Sequence, residues 1–149
     1  MEQQQLFQSK AREAESIQSA LQDLKLEIQT MNSNRQKFMS QMSENQMAKE
    51  ELERVDDDAA VYKLIGPALV KQERAEALDT VTKRLDFIRS TVESVDKELA
   101  AKVKEFEAKR ASMVSIQQQM QALQKQLEQL QMQQQQQQQQ QLAQQQQVK

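Results

Sequence analysis

The sequence predicts a mainly α protein, a long antiparallel two-helix coiled coil with one central β-hairpin, and three observations predict it. Apolar residues recur at alternating three- and four-residue spacing on both sides of the middle of the chain. The only glycine and the only proline of the 149 residues stand together between those stretches, as Gly66 and Pro67. Around that pair, β-branched and aromatic residues replace the Gln, Glu and Lys of the flanks.

The first helix is expected from about residue 4 to about residue 55. Its stripe reads Phe7, Lys10, Ala14, Ile17, Leu21, Leu24, Ile28, Met31, Arg35, Phe38, Met42, Asn45, Lys49, Leu52, with ten of fourteen slots apolar. Asp56, Asp57 and Asp58 follow, residues of poor helix propensity that cap and turn. The segment Ala60 to Lys71 then reads as two short strands, about 60–71 overall, around a turn in which Pro67 fixes φ and Gly66 tolerates the position before proline. The second helix is expected from about 72 to about 132. Its stripe is cleaner: Leu78, Val81, Leu85, Ile88, Val92, Val95, Leu99, Lys102, Phe106, Lys109, Met113, Ile116, Met120, Leu123, Leu127, Leu130, broken only by the two lysines. A strict 3.5-residue repeat keeps one seam facing a partner helix and imposes a left-handed supercoil.

At 1.5 Å per residue the helices would be roughly 75 Å and roughly 90 Å long, a match that an antiparallel hairpin requires. If Leu52 lies beside Leu78, partners carry numbers that total about 130, since both helices rise equally. Phe7 then falls near Leu123. Beyond about Leu127 the second helix has no intramolecular partner. That leaves Leu6, Phe7, Met120, Leu123, Leu127, Leu130 and Met132 at the distal end with little to cover them. From Gln117 the composition turns to glutamine, with unbroken runs at 133–141 and 144–147. The chain is thus read as a coiled-coil hairpin over 1–132 and a Gln-rich low-complexity tail over 133–149, disordered or a fraying helix, with Gln-ladder association as its hazard.

Composition excludes several classes. Only 38% of residues are hydrophobic and 3% aromatic, too few for a normal globular core. The 20 basic and 22 acidic residues are interleaved, and the net charge of −2 gives no general attraction to nucleic acid or to anionic membrane. Nothing approaches the roughly 18 consecutive apolar residues of a membrane span, and the Gln-rich start lacks an apolar leader core. Without cysteine there is no disulfide framework or thiol nucleophile. The expectation is a soluble, cytosolic protein.

Catalytic chemistry finds no footing. With no His and no Cys, neither an ordinary general base near neutral pH nor the usual zinc spheres can be built. One glycine cannot make a phosphate-cradling loop. Asp56-Asp57-Asp58 lacks the spacing, glycine and terminal glutamate of a calcium loop and is read as a solvated helix end. Glu50 and Glu51 point in different directions on a helix and are surface charge. No catalytic residue, cofactor or metal is expected. Lys71, Arg74, Lys83, Arg84 and Arg89 form a basic stretch, but Glu73, Glu76, Asp79 and Asp86 neutralise it and no base-stacking aromatics intervene, so an ion-paired face is the better reading.

Arg35, Asn45, Lys49, Lys102 and Lys109 occupy seam slots, where two readings stand side by side: register selection, or long stems lying in the seam with heads in water. Met31, Met42 and Met113 are core filler. Met120 is either core or part of an adaptable binding surface.

A lone hairpin is marginal in water, and its edges present unpaired N–H and C=O groups. Val61, Tyr62, Leu64, Ile65, Leu69 and Val70 are too apolar to stay exposed while the helical seams already cover each other. Several hairpins from several chains must therefore pair, and an obligate oligomer is expected.

The stretch Val61-Tyr62-Lys63-Leu64-Ile65-Gly66-Pro67-Ala68-Leu69-Val70-Lys71-Gln72-Glu73, with Glu76-Ala77, Thr80-Val81 and Lys83-Arg84-Leu85-Asp86-Phe87-Ile88, closely resembles the β-class subunits of the prefoldin family. A single central hairpin is similar to that class; the α class carries two. The resemblance implies a hetero-hexamer of α-class and β-class subunits whose hairpins form a double β barrel from which coiled-coil tentacles hang. It implies that the tentacle ends hold unfolded chains without nucleotide, notably nascent actin and tubulin, and pass them to the cytosolic chaperonin. By position, assembly falls on Val61 to Ile65, Gly66, Pro67 and Ala68 to Lys71, and client binding on Leu6, Phe7, Met120, Leu123, Leu127, Leu130 and Met132. The glutamine tail departs from the family pattern. The other readings are a coiled-coil tether or scaffold, which leaves the apolar hairpin unemployed, and a transcriptional adaptor acting through the glutamines.

Overall fold

A computed structural model of the chain describes residues 2–147. The element order is α1 (Glu2–Arg54), β1 (Val61–Ile65), β2 (Ala68–Gln72) and α2 (Arg74–Gln147). The helices reach 53 and 74 residues because neither contains Gly or Pro and both are dominated by Gln, Glu, Lys, Leu and Ala, residues of good helix propensity. The antiparallel two-helix architecture with one central hairpin is the one the heptads predict.

Boundaries differ in instructive ways. Gln72 does not start the second helix, because it is still paired with Val61 in the β-ladder. Nor does that helix stop near Met132: it runs through the glutamines to Gln147, so of the two expected states of the tail the structure has the helical one. Glutamine ranks beside Lys and Glu in helix propensity, and nothing in the run supplies a stop signal. Met1, Val148 and Lys149 lie outside the described residues.

The chain divides into two compact units, Leu26–Val103 and a second made of Met1–Lys25 with Lys104–Lys149. Within Leu26–Val103 the helices run antiparallel, tied across by Glu27 to Lys102 at 2.7 Å, Arg35 to Asp96 at 2.6 Å and Gln46 to Arg89 at 3.4 Å. The first two pairs have residue numbers totalling 129 and 131, the register that equal rise requires. Ala77, Leu85, Ile88 and Val92 are buried in this unit. The second unit is also antiparallel, with Leu21 and Gln22 lining a cleft beside Phe106, Arg110 and Met113. Leu24, Met113 and Ile116 are buried there.

Every slot of the first stripe, Phe7 to Leu52, is buried or half-buried, and so is every slot of the second from Leu78 to Leu127; Leu130 alone is exposed. Both readings of the polar seam residues contribute. Arg35 and Lys102 lay half-buried stems in the seam and carry their charge to an acid on the other helix, while Asn45 donates from Nδ2 to the Gln41 carbonyl at 2.7 Å, on its own helix. The Asp96 carboxylate raises the Arg35 pKa, first through its hydrogen bond and then through its charge. Such partly exposed pairs are screened by water and contribute little, so they specify register more than they stabilise it.

Among the described residues no helix is long and apolar enough to cross a membrane. No group of three His, Cys, Asp or Glu side chains there is placed to hold a metal ion.

Candidate assembly hairpin and tip

The base of Leu26–Val103 is built around one arginine. Helix α1 ends at Arg54, leaving its last carbonyls without intrahelical partners. Arg74, the first residue of α2, donates from Nε to the Leu52 carbonyl at 2.7 Å and from a terminal nitrogen to the Glu53 carbonyl at 3.2 Å. Its other terminal nitrogen reaches Asp57 at 3.1 Å. A guanidinium at a helix C-terminus satisfies both the orphan acceptors and the negative end of the dipole. The aspartate run turns the chain, with the Ala59 N–H donating to the Asp56 carbonyl at 3.0 Å. Arg74 therefore fixes the exit of one helix to the entry of the next. The ion-paired reading of the basic stretch holds for Lys83, bonded to Asp79 at 2.8 Å.

The strands pair antiparallel in the register Val61 with Gln72, Tyr62 with Lys71, Lys63 with Val70, Leu64 with Leu69 and Ile65 with Ala68. The two-residue loop places Gly66 at φ +56° followed by Pro67, the order that suits a tight hairpin turn whose first central residue has positive φ. Alternation puts Tyr62, Leu64, Leu69 and Lys71 on one face, and Val61, Lys63, Ile65, Ala68, Val70 and Gln72 on the other. Both faces are open: Leu64 is 69% exposed and Leu69 67%, and Tyr62, Ile65 and Val70 are exposed as well. The sheet has only two strands, so each strand has one edge outside the ladder. Beside β1 lies a cleft of about 480 Å³ lined by Leu52, Val55, Val61, Leu64, Ala77 and Val81 among others.

The seven tip residues divide. Leu6, Leu130 and Met132 are exposed; Phe7, Met120, Leu123 and Leu127 are half-buried, which corrects the expectation that all seven lie uncovered. The reason is that α1 starts at Glu2, and its first turn lines a cleft with Leu127, Leu130, Gln131 and Gln134, covering one side of the stripe. Met120 thus belongs to the seam.

Sequence reasoning missed three features. Arg74 as a cap joins groups more than twenty residues apart, which no local pattern announces. Val55 and Ala48 line the cleft beside β1. Phe87, at 71% exposure, falls between seam slots 85 and 88, and that off-stripe position was a readable signal.

The family model described as "Prefoldin subunit" matches residues 15–120, which include the hairpin and most of both stripes. Similar proteins include prefoldin subunit 6 of Mus musculus, 42% identical over 93 residues that span 58% of this chain and 73% of that protein. Prefoldin subunit 6 of Arabidopsis thaliana is 38% identical over 85 residues, 57% of this chain and 66% of its own. Among solved structures, the prefoldin beta subunit from Thermococcus strain KS-1 superposes with a TM-score of 0.66, covering 69% of this chain and 90% of that one. At 19% identity that likeness speaks for the fold.

Proposed function

Since this chain belongs to the prefoldin family of chaperone subunits, we propose that it is a β-class subunit of a hetero-hexameric, ATP-independent chaperone of the cytosol. Its hairpin, residues Val61 to Ile65, Gly66, Pro67 and Ala68 to Lys71, pairs with the hairpins of other α-class and β-class subunits. Its tip, with Leu6, Leu130 and Met132 outermost and Phe7, Met120, Leu123 and Leu127 behind them, holds unfolded or nascent chains of the actin and tubulin class. Those chains then pass to the cytosolic chaperonin. It binds neither nucleic acid nor membrane, and it is not an enzyme.

One observation carries this reading: a two-stranded hairpin, apolar on both faces and unpaired on both edges, set beside helices whose seams already cover each other. Left exposed, it would be an aggregation site. Buried by neighbouring hairpins, it is an assembly module. Holding follows from several weak apolar tips acting together, since linked weak contacts give avidity while each one can release. No nucleotide is needed.

The test is to co-purify the native particle and follow light scattering as denatured actin is diluted into it without ATP. A hetero-hexamer that suppresses aggregation is the expected result. An intact hexamer that leaves aggregation unchanged overturns the holding function, and a homodimer or tetramer overturns the assembly in favour of a tether.

A further inference from the structure

We propose, building on the holding function above, that the tip reads the main chain of an unfolded client: glutamine side-chain amides take the client's unpaired peptide N–H and C=O groups, and two leucines take its side chains. The cleft between the first turn of α1 and the stretch of α2 from Leu127 to Gln134 has a volume of about 650 Å³. Apart from Glu2, its walls are Leu127 and Leu130 with Gln3, Gln4, Gln131 and Gln134. Gln3 and Leu130 also border a second cleft of about 200 Å³, closed otherwise by Gln126, Gln129 and Gln133. Neither cleft is lined by a cation and only Glu2 carries charge, so charge does not select the occupant. Among the described residues none of these glutamine amides is hydrogen-bonded within the chain, and Gln3 Oε1 is buried without a donor. A buried acceptor in a folded protein ordinarily has a donor, so this one marks where a bound N–H fits. The last torsion of a glutamine is broad and Gln3 borders both clefts, so the oxygen turns to an arriving donor at little cost.

The occupant follows from the chemistry of the amide. A glutamine side chain ends in the same C=O and N–H groups as a peptide unit, so it donates to a peptide carbonyl and accepts from a peptide N–H. A folded protein pairs the great majority of its buried peptide groups internally, and a helix pairs its own. An extended, unfolded segment leaves them free. From Leu127 to Gln134 the axis of α2 rises about 10 Å, room for about three residues of extended chain at about 3.3 Å each. Successive side chains of such a segment point to opposite sides, so one meets the leucines while the peptide groups beside it reach the glutamines. The tip thus separates non-native from native chains by a feature that every sequence shares.

Gln4, Gln131 and Gln134 are exposed, so replacing all three by Met removes their amides, keeps side-chain length and helix propensity, and makes the tip more apolar. The hexamer co-purified with partner subunits, parent or triple variant, is titrated by biolayer interferometry against a short peptide of Leu, Ala and Gly immobilised on streptavidin, where several copies meet several tips. It is titrated likewise against the same peptide N-methylated at every residue, which loses its N–H donors and keeps its side chains. The parent should bind the plain array about fivefold or more tighter than the methylated one, the ratio that one net hydrogen bond makes. The triple variant should bind the plain array more weakly and with a smaller ratio. Recognition by apolar contact alone predicts the opposite sign. Tighter binding by the triple variant, an unchanged ratio in it, or a parent that does not bind the plain array or does not distinguish the two arrays overturns the proposal. Failure of the holding function itself would show separately, as unsuppressed aggregation of denatured actin with the parent hexamer.

Discussion

Removing the Arg74 guanidinium tests how the hairpin is held. In Arg74→Ala two hydrogen bonds to backbone carbonyls vanish, at 2.7 Å to Leu52 and 3.2 Å to Glu53, together with the ion pair to Asp57. The contributions are unequal. The Asp57 side chain is 96% exposed, so its pairing contributes at most a few tenths of a kcal/mol. The Arg74 side chain is only 24% exposed, and hydrogen bonds from a charged donor contribute about 1.5–3 kcal/mol each when well formed. Water can reach the abandoned carbonyls at the end of α1, which returns much of that. A net loss of about 1–2 kcal/mol remains, the upper part of the range for helix caps. Urea unfolding followed by far-UV circular dichroism, at one fixed protein concentration, should place Arg74→Ala that far below the parent and Asp57→Ala within about 0.5 kcal/mol of it. Arg74→Lys, which keeps the charge without the fork, should fall between. If Asp57→Ala costs as much as Arg74→Ala, the ion pair dominates and the capping argument is wrong.

Leu64→Asp or Val70→Asp should abolish the hexamer on native mass measurement, because assembly would bury an unpaired carboxylate at a cost of several kcal/mol; a hexamer that survives either change removes the hairpin from assembly. Ending the chain after Ile116 should leave the hexamer intact and weaken capture of denatured actin, since it removes the outer tip and spares Leu26–Val103; normal capture would place client binding elsewhere. Leu85→Ala should cost about 2–5 kcal/mol in urea unfolding, as the side chain is 1% exposed in the seam. Phe87→Ala in the unassembled chain should change stability by less than about 0.5 kcal/mol, and a larger effect would mean that Phe87 packs after all.

The seam was legible because its physics is periodic: one residue in each three or four must face the partner helix, and the stripes from Phe7 to Leu52 and from Leu78 to Leu127 obey that without exception. The hairpin was legible because Gly66-Pro67 is the only break of its kind in the chain. Less legible was the end of α2, where glutamine carries neither a start nor a stop signal, so the expected boundary near Met132 fell short of Gln147. Coverage at the tip depended on where α1 begins relative to Leu127, a matter of register to within one turn. Arg74 was read as one of a group of surface charges because its partners are carbonyls, and backbone acceptors leave no mark in a sequence.

Gly66 is where the hairpin turn departs from the conformations that L-residues favour. Its φ of +56° is the sole positive value among the described residues, and a Cβ built there would meet nothing within 4 Å. An L-residue at this point would strain only its own backbone, by about 1–2 kcal/mol, whereas a residue of the opposite chirality would adopt the same angle without strain. The hairpin tip is thus a place where a mirror-image amino acid, introduced by chemical ligation, would be better suited than any of the nineteen chiral side chains that translation can offer.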